Sequence, residues 1–113
     1  MADQQISWSD FAKLDIRSGT VLEAEVFKEA RKPAYKLKVD FGPLGVLKTS
    51  AQITELYKVE ELPGKQVLAV VNFPPKQIAN FMSECLILGT YGKEGEVTLL
   101  TTDKNTANGA KVG

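Results

Sequence analysis

The chain has 113 residues, 43% of them hydrophobic and 25% charged, which suits one compact domain with its own core and argues against a disordered chain. The 14 basic residues balance the 14 acidic ones, so the chain as a whole carries no electrostatic footprint for nucleic acid. It has one cysteine and no histidine, which removes a disulfide within the chain, His-based acid–base catalysis and His-ligated metal.

Residues 1–6 read as a flexible tail, and residues 7–113 as one domain. Ser7 caps a short helix, with Asp10 three residues on completing a capping box. Trp8, Phe11 and Ala12 share one face of that turn, which packs either on its own domain or across an interface between two chains. Leu14 to Phe27 reads as a long strand. Ile16, Leu22, Ala24 and Val26 share one parity, and Ser18-Gly19-Thr20 interrupts it as a bulge. Lys28 to Pro33 is a charged turn.

Ala34 to Phe41 alternates cleanly, with Tyr35, Leu37, Val39 and Phe41 inward and Lys36, Lys38 and Asp40 outward. The turn Gly42-Pro43-Leu44-Gly45 leads into a partner strand from Val46 to Ala51, making a hairpin. Ile53, Leu56 and Tyr57 are spaced for a short helix, and Lys58 to Lys65 is a loop. Val67 to Val71 is a strand buried on both faces, stopped by Pro74-Pro75. A proline-bounded loop then reaches a second apolar strand, Cys85 to Leu88, with Cys85 as a small buried hydrophobe. Gly89 to Glu96 is a glycine-rich turn. Val97 to Leu100 is a last strand, and a polar tail follows. Five or so strands, one of them long and bulged, with a short helix before the fourth, fit an all-β fold: a five-stranded Greek-key barrel of the OB type. A β-sandwich is the runner-up.

Lys36, Lys38 and Lys48 fall on the outer face of one hairpin, near Arg31 and Lys32. They are either a solvated face or a platform for phosphates and anionic partners. Asn72, Lys76, Asn80 and Ser83 offer hydrogen bonds from the proline-bounded loop, either to local backbone or to the backbone of a bound polymer. Phe73, Ile78, Phe81 and Met82 surround that loop and form an apolar pocket if exposed, or ordinary core if buried. Glu84 repels a phosphate and attracts a basic segment. No paired carboxylates, phosphate cradle or metal-ligand cluster stands out, so neither catalysis nor a cofactor is expected. The acidic, polar N-terminus has no signal pattern and no run is long enough to span a membrane, so a cytoplasmic protein without membrane insertion is expected.

Phe11-x-x-Leu14-Asp15-Ile16-Arg17-x-Gly19, Tyr57-x-x-Glu60-Glu61-Leu62-x-Gly64-Lys65 and Val70-Val71-Asn72 occur in order. Together they resemble the tRNA-binding domain family, which includes the C-terminal domain of methionyl-tRNA synthetase. Glu29 to Leu37, Ser50-Ala51-Gln52-Ile53-Thr54, Asn72 to Lys76 and Ser83 to Gly89 are similar to its CsaA branch of export-related chaperones. The resemblance implies a homodimer of OB barrels, with the N-terminal helix (Trp8, Phe11) and the C-terminal end building the interface. It implies ATP-independent binding of unfolded precursor proteins for export, with the translocation motor a further partner. The alternative it implies is a tRNA binder that reads shape, and a third reading is a dimerisation domain that has lost both ligands. The peptide- or tRNA-binding residues expected on this basis are Lys36, Lys38, Lys48, Ser50, Asn72, Phe73, Lys76, Asn80, Phe81, Ser83, Glu84 and Leu86.

Overall fold

A computed structural model describes residues 4–113. The expected tail therefore lies partly outside the described residues; Gln4 to Ile6 are exposed. Helix α1 (Trp8–Ala12) opens the fold. Nine strands follow: β1 (Ile16–Val26), β2 (Tyr35–Asp40), β3 (Val46–Ala51), β4 (Gln66–Val70), β5 (Lys76–Ile78), β6 (Phe81–Ser83), β7 (Leu86–Ile87), β8 (Gly89–Tyr91) and β9 (Val97–Leu99). Five of them form one antiparallel sheet in the order β3-β2-β1-β4-β7, and β5-β6 and β8-β9 are separate hairpins. The sheet curls into a nearly closed barrel of the OB type.

Strand β1 does the curling. Its first half pairs with β4 and its second half with β2, so it serves both sides of the barrel. The register slips between Val21 and Glu23, which places the bulge at Leu22 rather than at Ser18-Gly19-Thr20. The slip breaks the expected parity: Val21 turns into the core, whereas Leu22 and Val26 are exposed. Gly19 has a different task. A Cβ there would lie 2.7 Å from Val39 Cγ1 and 2.8 Å from the Phe41 ring, so only glycine lets β1 approach β2 this closely.

The alternation of β2 holds. Tyr35, Leu37, Val39 and Phe41 are all buried and join Val21, Leu62 and Val67 in the core. The helix expected at Ile53–Tyr57 is absent among the described residues; that stretch is a series of turns. Tyr57 ties it across the fold instead, by its carbonyl and its hydroxyl. The Tyr35 hydroxyl donates to Tyr57 O (2.8 Å), and Leu99 N–H donates to the Tyr57 hydroxyl (2.9 Å). The short helix before β4 is one 3-10 turn at Val59–Glu61, inside the stretch read as loop. The glycine-rich turn likewise begins as strand β8, paired with β9.

The polar C-terminal tail lies along β1. Ser18 N–H donates to Ala110 O (3.0 Å), Gly109 N–H to Ser18 O (2.7 Å) and Val112 N–H to Ile16 O (2.8 Å). The buried Ser18 hydroxyl donates to Ala107 O (3.0 Å), and Arg17 reaches Gly109 O (3.0 Å). The tail is therefore held by its backbone, which explains why few apolar residues were needed.

Candidate binding site on the barrel rim

The proline-bounded passage after β4 is a folded flap. Lys76–Ile78 and Phe81–Ser83 pair as a hairpin, with Ala79 in the left-handed region at φ 52°. Residues of this flap then close the barrel against β3. Glu84 N–H donates to Lys48 O (2.8 Å), and the Glu84 carboxylate accepts Lys48 N–H (2.9 Å). The Ser83 hydroxyl accepts Ser50 N–H (3.2 Å) and lies 3.1 Å from the Thr49 hydroxyl, which donates to Cys85 O (2.7 Å). Two side chains thus stand in for a regular ladder. Glu84 and Ser83 are clasps of the barrel, and the Glu84 carboxylate is turned to the backbone of Lys48. Cys85 is buried beside them, and burial pushes its thiol up to about 11.

Phe81 packs edge-on to Phe27, with ring centres 5.4 Å apart. Lys36 Nζ lies 4.8 Å from the Phe27 centre and 5.4 Å from that of Phe81, and Lys48 Nζ lies 5.4 Å from Phe81 on the same rim. The lysines therefore gather round an aromatic pair instead of standing free. Lys38 sits directly opposite Lys48 in the β2–β3 register. Acids moderate the row: Lys38 pairs with Glu23 at 3.2 Å and Lys36 approaches Glu29 at 3.9 Å. A cavity of about 510 Å³ lies along this face, between Lys38, Lys48, Phe81 and the acids of β1.

Asn72 is a latch between elements. Its Oδ1 accepts Asp15 N–H (3.0 Å) and its Nδ2 donates to Lys13 O (2.8 Å), tying the end of β4 to the link between α1 and β1. Phe73, Lys76, Asn80 and Met82 are exposed along the flap, while Ile78 and Phe81 are half-buried. Leu86 is 48% exposed at the start of β7.

Leu86 borders a feature that the reading of the sequence missed. A groove of about 440 Å³ separates Ala51–Ile53 from β7 and the β8–β9 hairpin, with Leu86, Tyr91, Val97 and Leu99 in its walls. Tyr91 is 84% exposed. None of the residues lining the groove carries a formal charge. The signal was the alternation Val97-x-Leu99, whose partner strand was hidden inside a run rich in glycine and charge.

Helix α1 buries none of its residues in the chain. Its capping box forms as expected, with Ser7 and Asp10 each accepting the other's N–H at 3.1 Å. Trp8 is 72% exposed and lies against Phe11, ring centres 5.3 Å apart.

Comparison with known proteins finds the family described as "Putative tRNA binding domain" over residues 16–111. The chaperone CsaA of Bacillus anthracis is 50% identical and superposes with a TM-score of 0.93, over 97% of this chain and 100% of that one. The CsaA chaperone protein of Picrophilus torridus is 54% identical with a TM-score of 0.90, over 96% and 100%. The methionine–tRNA ligase of Flavobacterium johnsoniae is 39% identical over 95% of this chain, which spans 15% of that enzyme's length.

Proposed function

The chain belongs to the tRNA-binding domain family, and from that premise we propose that it is a CsaA-like chaperone that binds unfolded segments of precursor proteins and assists their export. It acts by binding, without catalysis, ATP or a cofactor, in the cytoplasm. Among the described residues no helix is long and apolar enough to cross a membrane. The observation that carries the reading is the uncharged groove beside Leu86 and Tyr91. Apolar client side chains gain from leaving water there, by ~25 cal/mol for each Å² buried. Whole-length likeness to two CsaA chaperones supports the same reading. The exposed flap residues Phe73, Lys76, Asn80 and Met82 extend the surface open to a client. Lys36, Lys38 and Lys48, beside Phe81, guide acidic stretches of it. Ser50, Asn72, Ser83 and Glu84 shape the rim.

The protein works as a two-fold homodimer joined through Trp8 and Phe11 and the C-terminal end. The exposure of Trp8, on a helix that buries none of its residues in the chain, supports this. Two equivalent sites raise weak single-site affinity by avidity. The second reading, recognition of tRNA by shape, is favoured by Lys38 and Lys48 standing opposite each other on one face.

The test is equilibrium binding of a labelled, permanently unfolded precursor and of tRNA to the full chain. The expected result is saturable precursor binding that Leu86→Asp weakens by about tenfold, as a charge in an apolar groove would. Saturable tRNA binding with no precursor binding overturns the proposal.

A further inference from the structure

The apolar groove is also the open part of the barrel seam. Phe41 N–H donates to Gly45 O, which sets the alternation of the β2–β3 ladder. In that alternation Val39, Leu37 and Tyr35 bond to Leu47, Thr49 and Ala51. Lys48 and Ser50 then direct their N–H and C=O groups away from β2, toward the seam, and Gln52 is the next residue in that alternation, just past the end of β3. On the other side Leu88 N–H donates to Leu68 O, in the register that pairs Ala69 with Ile87. Leu86 and Leu88 therefore face β4, and the N–H and C=O of Ile87 face the seam. Glu84 and Ser83 clasp the seam at Lys48 and Ser50. Beyond that point, among the described residues, no hydrogen bond crosses between Ser50–Ile53 and Leu86–Gly89.

We propose that this open seam is a β-addition site, where an extended polypeptide lies along Gln52 and Ile87 and bonds to their free backbone groups. The proposal rests on the chaperone reading and specifies how a client is held. The unpaired edge of β7 and the segment that continues β3 past Ala51 are the natural complement of an extended main chain. Alternate side chains of that chain enter the groove against Leu86, Val97 and Leu99. The lining carries no charge, so a neutral apolar segment matches it and a phosphate backbone does not. Main-chain bonding is blind to sequence, which is what binding many different clients requires.

The experiment is amide hydrogen exchange by NMR on the full chain, with and without an unfolded apolar peptide. Binding of two N-methylated forms of the same peptide is measured beside it. The Gln52 and Ile87 amides should gain protection on peptide binding. N-methylation at one set of alternate residues should weaken binding by ~10-fold through lost hydrogen bonds, while methylation of the other set leaves it nearly intact. Peptide binding without protection of either amide, or equal binding of both methylated forms, overturns the seam site alone. Failure of every peptide to bind overturns the chaperone reading and the seam with it. Protection produced by tRNA, or by raising protein concentration without peptide, also overturns the proposal, since the occupant would then be an RNA or a second copy.

Discussion

Single side chains do unusual structural work here. The Glu84 carboxylate replaces a strand's carbonyl in accepting Lys48 N–H. Glu84→Ala should therefore destabilise the fold by about 1 kcal/mol, read as a lower urea midpoint at unchanged slope. An unchanged midpoint would mean that the seam closes without the clasp. Gly19 faces Val39 and Phe41 with no room for a methyl group. Gly19→Ala should cost ~1–3 kcal/mol by overpacking, measured the same way. Cys85 titrates against the fold. Its folded pKa of about 11 lies above its ordinary 9.0, chiefly because burial disfavours the thiolate. The folded state then holds a proton that the unfolded state releases, so this stabilisation is complete below pH 9 and is lost as pH rises toward 11. Urea midpoints should fall across that window in the native chain and stay flatter in Cys85→Ala.

At the level of elements, legibility followed how each one is held. Strand β2 was plain because both its faces are decided by burial, and its alternation of lysine with aromatic and aliphatic residues survives intact. The β5–β6 hairpin was hidden because its turn is Ala79-Asn80, with alanine in the left-handed region and no glycine to announce it. The helix expected at Ile53–Tyr57 had the right spacing, yet hydrogen bonds that Tyr57 accepts from the Tyr35 hydroxyl and from Leu99 N–H hold that stretch in turns. Nothing local could reveal the docking of the tail, since backbone groups make most of it. At the candidate site the lysine row and the proline-bounded place of the flap were legible, though not the pairing of its strands. The uncharged groove was not, because residues from Ala51 to Leu99 meet there only once the barrel has curled. Helix α1 stands apart as an exposed element stabilised by its caps. Hydrogen bonds from the Ser7 backbone and hydroxyl hold the Asp10 carboxyl below its ordinary 3.8. Its stabilising effect is present above the ordinary carboxylate range and fades as pH falls through the lowered value. Acidification should fray α1, seen in Trp8 fluorescence, before the barrel unfolds. In the proposed dimer, Trp8→Ala should raise the dimer dissociation constant at least tenfold by sedimentation, because large aromatics dominate such interfaces. An unchanged constant removes α1 from the interface.

For the molecule as a whole, two surfaces compete as explanations of what it binds. One is a lysine row tempered by Glu23 and Glu29, and the other is an uncharged groove at an unfinished seam. They differ in how salt and temperature act on them. Neutralised phosphates release counterions, so a tRNA complex weakens steeply as salt rises. Apolar burial responds little to salt and lowers the heat capacity. The most direct test is calorimetric titration of the full chain with an unfolded precursor and with tRNA, at low and high salt and at two temperatures. Binding through the groove predicts precursor affinity that is nearly independent of salt, with a negative heat-capacity change. Tight tRNA binding that collapses at high salt, with no heat of precursor binding at either temperature, would contradict it.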